Sequence, residues 1–264
     1  MTTAGATQAV VVTGASSGIG EALARAWARR GATLVLSARD EVGLARVARA
    51  VEAAGGRAIG VPADLTREQD RVQLVERARA EVGKIDVLVN NAGRGYYGSV
   101  ARIGPHDLEA LFALNVVAPL HLAQLALDPL TRSGGTLVMM SSVAGVVASP
   151  RMGAYAATKF ALEAISMSLR AELAGTGVRV IVVRPGPVDT GFRENAVVTD
   201  GRAGVRPRGA DAQSPDEVAD QTLRAVERGQ PVLETTAFVR LASAAARIAP
   251  GAMRWVTAAM AARN

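Results

Sequence analysis

The feature of this sequence that most restricts its fold is a regular alternation of short β-branched runs with longer stretches rich in Ala, Arg, Leu and Glu. Seven runs read as strands, at residues 9–12, 33–36, 58–61, 85–89, 136–140, 178–183 and 231–233. The stretches between them carry helix punctuation. Gly31 and Gly55 close helical runs, and Ser214-Pro215-Asp216-Glu217 supplies a cap, a first-turn proline and a capping-box acid. Strand-helix-strand repeats build a parallel sheet with helices on both faces, so the fold class is α/β and doubly wound, with seven strands. The chain has 264 residues and no visible linker, which suits one domain over 1–264 with a core at 8–235.

Two stretches break the rhythm. The Gly/Arg-rich segment 185–212 is longer than an ordinary connection and reads as a substrate loop. Its Arg193, Arg202, Arg206 and Arg208 have two readings, attraction of an anionic substrate or plain solvation, and the second is preferred. The Ala-rich tail 237–264 is interrupted by Pro250-Gly251 and reads as two short helices. Its Arg240, Arg247 and Arg254 recur every seven residues and so share a helical face, expected to be solvated rather than membrane-bound.

Charge and composition narrow the function classes. The 30 basic against 24 acidic residues leave a net charge of +6, yet the arginines are scattered, so no nucleic-acid partner is expected. There is no cysteine, and His106 and His121 lack carboxylates at ligand spacing, which predicts a reducing compartment and no catalytic metal. Residues 110–127 approach a membrane span in length but contain Asn115, Pro119, His121 and Gln124, so a helix buried between protein surfaces is expected instead. No basic segment followed by an apolar run precedes the first strand, which predicts no signal peptide and a cytoplasmic location.

Directly after the first strand comes Thr13-Gly14-Ala15-Ser16-Ser17-Gly18-Ile19-Gly20, followed by a helical run. Glycines at 14, 18 and 20 let the backbone turn tightly and approach a pyrophosphate, whose charge meets free N–H groups at the helix N-terminus. Strand, glycine turn, helix is the context that separates a dinucleotide site from an ordinary turn, and it belongs to a Rossmann-type domain. After the second strand, where an acid would bond the ribose of NAD, stand Ser37-Ala38-Arg39. Arg39 offers a fork of donors for a 2′-phosphate, which predicts NADP(H) over NAD(H). Stacking of Arg39 on adenine, with Asp40 serving the ribose, is the competing reading.

Tyr155-Ala156-Ala157-Thr158-Lys159 lies in an expected helix, so the phenol and the ammonium share one face a turn apart. A lysine charge at roughly 4 Å, in an effective dielectric of about 20, would favour the phenolate by on the order of 4 kcal/mol before desolvation. That would bring the phenol towards the pH range where it exchanges protons well. Such a pair taken alone is more often a surface contact. Ser141-Ser142 follows the fifth strand at the carboxyl edge, where a hydroxyl can polarise a carbonyl oxygen or simply cap a turn.

Further segments make the pattern specific. Asn90-Asn91-Ala92-Gly93 follows the fourth strand, Asn115 lies in the next helix, Ser142 stands thirteen positions before Tyr155, and Pro185-Gly186-Pro187-Val188-Asp189-Thr190 follows the sixth strand. In this order they resemble the short-chain dehydrogenase/reductase family over roughly residues 8–235. The resemblance implies strand order 3-2-1-4-5-6-7 and hydride exchange between a nicotinamide and a carbonyl or secondary-alcohol substrate. It also implies a tetrad, with Tyr155 as general acid/base, Ser142 positioning the reacting oxygen, Lys159 tuning Tyr155 and holding ribose, and Asn115 holding a relay water. Gly14, Ser16, Ser17, Gly18, Ile19, Gly20, Arg39, Asp64, Leu65, Asn91, Ala92, Gly93, Pro185, Gly186, Val188 and Thr190 would hold the cofactor. A homodimer or homotetramer through the long central helices is expected as well. A non-catalytic NADP(H) sensor, or an epimerase or dehydratase on the same fold, is the alternative. Tyr96, Tyr97, Met152 and Phe192 flank these segments and are candidates for lining the substrate site or for core packing.

Overall fold

A computed structural model describes residues 7–199, 212–249 and 251. Seven parallel strands form the main sheet: β1 (Ala9–Thr13), β2 (Thr33–Ala38), β3 (Arg57–Pro62), β4 (Val87–Asn90), β6 (Thr136–Met140), β7 (Arg179–Arg184) and β9 (Val232–Glu234). They lie in the order β3-β2-β1-β4-β6-β7-β9. This is the expected seven-stranded sheet in the expected order, because right-handed crossovers from β1 in both directions leave that arrangement. Two strands of two residues each, β5 (Tyr96–Tyr97) and β8 (Val197–Val198), pair in a separate small sheet. They are too short to show a period of two in the sequence.

The main strands alternate their side chains between two apolar layers. On one face Val10, Val12, Leu34, Leu36, Val138 and Val183 pack against α1 (Gly18–Ala28), α2 (Glu41–Ala53) and α8 (Pro215–Arg228). On the other, Val11, Val35, Leu88, Leu137, Met139 and Val182 meet α3 (Glu68–Val82), α5 (Ala118–Leu125), α6 (Leu127–Ser133) and α7 (Gly153–Glu172). A core of small aliphatic residues lets these layers close with few aromatics. The predicted capping box starts α8, with Ser214 Oγ accepting from the Glu217 N–H at 3.2 Å and the Glu217 carboxylate accepting from the Ser214 N–H at 2.8 Å.

The apolar segment that approaches a membrane span is one continuous helix, α4 (Pro105–Phe112), a π-helical turn Ala113–Val117 and α5. By length and composition it could cross a bilayer. However, Leu111, Asn115, Val116, Ala118 and Leu122 are buried in the protein, and His121 Nδ1 accepts from Arg71 Nε at 2.9 Å. His106 is exposed in the first turn of α4, behind Pro105. Of the tail, α9 (Ala237–Ile248) is the first expected helix, capped by Thr236. The second, with Arg254, lies outside the described residues, as do Arg202, Arg206 and Arg208 of the 185–212 segment.

Candidate active site

The glycine turn leaves β1 with Gly14 at φ +64° and Gly18 at φ +57°, backbone geometry that favours glycine. Gly20 answers a different constraint. A Cβ there would stand 2.1 Å from the Gly14 carbonyl oxygen and 2.7 Å from Asn91 Nδ2, so the first turn of α1 can press against the loop only without a side chain. Ser17 caps α1 without a side-chain hydrogen bond, which leaves the first-turn N–H groups directed outward. Ser16 is half-buried, Ser17 exposed, and Ile19 packs on the core beneath the turn. The donor set and the missing side chains fit a dinucleotide pyrophosphate.

The Asn-Asn-Ala-Gly segment is braced against this turn. Thr13 Oγ1 accepts from the N–H groups of Asn91 and Ala92 at 2.9 and 3.0 Å and donates to the Val89 carbonyl at 3.1 Å. Asn91 Nδ2 donates to the carbonyls of Thr13 and Gly14 at 2.8 and 3.2 Å. The Asn91 side chain therefore shapes the glycine loop. Thr13 is the brace that the sequence reading missed, since a strand-terminal threonine carries no distinctive pattern.

At the end of β2, Arg39 is exposed and, among the described residues, makes no hydrogen bond or ion pair. Asp40 is occupied, its carboxylate accepting from the Gly43 N–H at 3.0 Å as the cap of α2. Asp64 accepts from the Thr66 N–H and hydroxyl. Burial acts to raise its pKa, but the Thr66 hydrogen bonds and the charges of Arg39 and Arg67 outweigh it and hold the carboxyl below its usual value. Leu65 is buried beside it.

Around Tyr155 the long-range contacts converge. The Ser142 hydroxyl lies towards the Tyr155 phenol and favours its ionised form, while Ser142 Oγ accepts from the Ala144 N–H at 3.1 Å. Ser142 thus faces the phenol and caps the 3-10 turn Val143–Gly145 at once. Lys159 Nζ is buried and donates to the Met140 carbonyl at 2.8 Å, and lies 5.7 Å from the centre of the Tyr155 ring. Burial lowers the Lys159 pKa to about 8, against the upward pull of Glu163. Burial also pushes the Tyr155 phenol well above its ordinary value, with the Ser142 hydroxyl opposing. In the cofactor-free protein the Lys159 ammonium is anchored on Met140 and desolvation of the ring dominates, opposing the lowering of the phenol expected from Lys159 and the cofactor together.

Asn115 stands in the π-helical turn, with its amide spent on protein partners. Nδ2 donates to the Arg94 carbonyl at 2.9 Å and to Thr158 Oγ1 at 3.1 Å, and Oδ1 accepts from the Arg94 N–H at 2.9 Å. Thr158 in turn donates to the Tyr155 carbonyl at 2.7 Å. Asn115 therefore ties the chain after Gly93 to the helix that carries Tyr155 and Lys159. A Cβ on Gly93 would approach Asn115 Oδ1 at 3.2 Å and Lys159 Nζ at 3.7 Å, which places this glycine at the centre of the group.

The 185–190 segment closes the other side. The Pro185 carbonyl accepts from the Val143 N–H at 2.9 Å, Gly186 lies against Thr236 and Val239, and Val188 bridges to Gln213. Thr190 reaches the glycine loop, since a Cβ on Gly18 would lie 3.2 Å from its Cγ2. Phe192 packs on Tyr155 with ring centres 5.7 Å apart, and Tyr96 and Met152 join the same apolar cluster. Tyr97 is buried nearby under Arg193, 6.0 Å from its ring centre.

One further cluster was not anticipated. Arg184, at the end of β7, is buried and donates from Nε and Nη2 to Glu163 of α7 at 2.9 and 2.8 Å and from Nη1 to Glu234 of β9 at 2.9 Å. It joins the strand leading into Pro185 to the helix one turn beyond Lys159. An arginine directly after a four-residue apolar run was the available signal. Among the described residues there is no group of three or more His, Cys, Asp or Glu able to hold a metal ion.

Comparison with known proteins agrees with this geometry. A family profile described as short chain dehydrogenase matches residues 8–200. Ketoacyl reductase HetN of Nostoc sp. is 36% identical over 219 residues, covering 83% of this chain and 75% of that protein. Dehydrogenase/reductase SDR family member 7B of Danio rerio is 36% identical over 82% of this chain and 73% of its own length. A short-chain dehydrogenase from Sphingobium yanoikuyae, solved in complex with NADPH, superposes with a TM-score of 0.78 at 33% identity, covering 96% of this chain and 95% of that one. A Burkholderia phymatum member solved with NAD gives a TM-score of 0.80 at 28% identity over 89% and 92% of the two chains.

Proposed function

This chain belongs to the short-chain dehydrogenase/reductase family and is an oxidoreductase with a nicotinamide-cofactor fold, and from that premise we propose that it interconverts a small-molecule carbonyl and its secondary alcohol with NADP(H). The observation that carries the proposal is the buried Tyr155 phenol facing Ser142, with Lys159 Nζ 5.7 Å from its ring centre one helical turn away. The cofactor supplies or accepts the hydride, and the protein supplies orientation and proton handling.

Gly14, Ser16, Ser17, Gly18, Ile19 and Gly20 hold the pyrophosphate, with Asp64 and Leu65 flanking adenine and Asn91, Ala92 and Gly93 lining the floor. Pro185, Gly186, Val188 and Thr190 cover the nicotinamide end. Arg39 holds the 2′-phosphate, a role supported by its exposed guanidinium and by the commitment of Asp40 to the α2 cap. Tyr155 gives its phenolic proton to the substrate oxygen in reduction and takes it back in oxidation. Ser142 shares its hydroxyl with both oxygens and so fixes the approach. Lys159 bonds ribose and, when charged, offsets the desolvation that raises the phenol. Nδ2 of Asn115 is spent, so a relay water there uses its backbone carbonyl or the second lone pair of Oδ1. The partly described 185–212 segment is the substrate loop, and the exposed Val117, Phe160 and Met167 form part of a homo-oligomer contact.

The test follows NADPH and NADH absorbance against a panel of ketones, diketones, steroids and acyl thioesters, with Tyr155→Phe and Arg39→Asp beside the native chain. Turnover with NADPH is expected to fall by two orders of magnitude or more in Tyr155→Phe with cofactor binding retained, as for loss of a general acid (roughly 10²–10⁴-fold). Arg39→Asp is expected to raise the KM for NADPH and leave that for NADH little changed. Turnover surviving in Tyr155→Phe overturns the mechanism, an unmoved NADPH KM in Arg39→Asp overturns the 2′-phosphate assignment, and binding without turnover on every substrate favours a sensor.

A further inference from the structure

We propose that the outer face of α9 is a docking surface for an anionic lipid bilayer. The helix divides into stripes. Val239 and Ser243 are buried against the protein at 0% and 3% exposure, while Phe238, Leu241 and Ile248 stand 57%, 71% and 83% exposed. With Ala245 these three fall at i, i+3, i+7 and i+10, which at about 100° per residue is a single apolar stripe turned away from the buried one. Arg240 and Arg247, both exposed, leave the helix along the border between the two stripes.

Charge selects the occupant. From residue 235 to residue 264 the sequence holds Arg240, Arg247, Arg254 and Arg263 and no aspartate or glutamate. A symmetric contact of α9 with a second copy would crowd arginines with no acid from the same segment to compensate. An anionic bilayer instead takes the apolar stripe into the acyl boundary while the arginine stems snorkel to the headgroup phosphates. The solvated face expected from the arginine spacing leaves three large apolar side chains on one stripe in water, and the bilayer removes that cost. α9 follows β9 and lies against Gly186, so the docked face is at the end of the sheet that carries the candidate site.

The experiment is cosedimentation of the full chain with vesicles of phosphatidylcholine alone and of phosphatidylcholine with an equal share of phosphatidylglycerol, at low and physiological salt. The native chain is expected to partition onto the anionic vesicles, less so at higher salt, and not onto the neutral ones. R240Q/R247Q should weaken that partitioning roughly twenty-five-fold, at about a fivefold loss per arginine near an anionic surface. F238S/L241S/I248S should abolish it, and its thermal midpoint should stay native because all three side chains are exposed. Should that variant unfold, the arginine pair, both exposed, carries the test alone. Absence of binding to anionic vesicles, equal binding to both compositions, or undiminished binding by F238S/L241S/I248S overturns the proposal. A concentration-dependent oligomer that this variant dissolves, without vesicle binding, overturns it in favour of a second copy.

Discussion

Replacing Arg184 by methionine should destabilise the chain by about 3 kcal/mol, at the lower end of the roughly 3–5 kcal/mol seen when one partner of a buried ion pair is removed. The structure sets both the sign and the size. Arg184 has a side-chain exposure of 7% and spends three nitrogens on two carboxylates, those of Glu163 at 15% and Glu234 at 21% exposure. Methionine fills the space but leaves two acids facing each other in a poorly hydrated pocket. Some water reaches both, which is why the lower end applies. At about 2–4 °C per kcal/mol for a chain of this size, the melting midpoint should fall by about 6–12 °C. Circular dichroism melts, paired with urea unfolding, provide the assay. R184M/E163Q should recover part of the loss by removing one orphaned charge, and R184K should fall between, because lysine restores charge without the two-pronged geometry. A midpoint shift below about 2 °C, or R184K indistinguishable from R184M, would refute the reasoning.

Two other perturbations follow from the site. In the cofactor-free protein, burial holds the Lys159 pKa at about 8 against 10.5 unperturbed, so between these values the unfolded chain keeps a proton that the native one has lost. Stability from this group therefore rises with pH across that window, and the native chain should gain about 2–3 kcal/mol over Lys159→Met between pH 7 and pH 10. Parallel pH-stability curves for the two would contradict this. Gly20→Ala places a methyl 2.1 Å from the Gly14 carbonyl oxygen. It should cost about 1–3 kcal/mol and weaken NADPH binding measured by fluorescence; an unchanged melting midpoint and affinity would count against the pyrophosphate cradle.

Local patterns were the most legible. Main-sheet strands appear in the sequence as β-branched runs, and the α8 capping box as four residues in a row, because both depend on neighbours within one turn or one strand. Tyr155 and Lys159 were readable for the same reason, being four apart on a helix. β5 and β8 were not, since two residues have no period. Thr13 and Thr158 were missed because each acts through partners distant in sequence, Asn91 and Ala92 for the first and Asn115 for the second.

The amino-acid sequence by itself determined the parallel sheet and the glycine turn before α1 through periodicity, backbone preference and short spacings, while the strand order and the full tetrad followed from its resemblance to a known family. Tertiary structure alone decided what those residues experience. It set Ser142 against Tyr155, anchored Lys159 on Met140, closed Arg184 between Glu163 and Glu234, and turned the apolar stripe of α9 outward. The physical reason is that desolvation and ion pairing depend on what surrounds a group in three dimensions. The Tyr155 phenol that its spacing to Lys159 would lower is raised once the fold buries it.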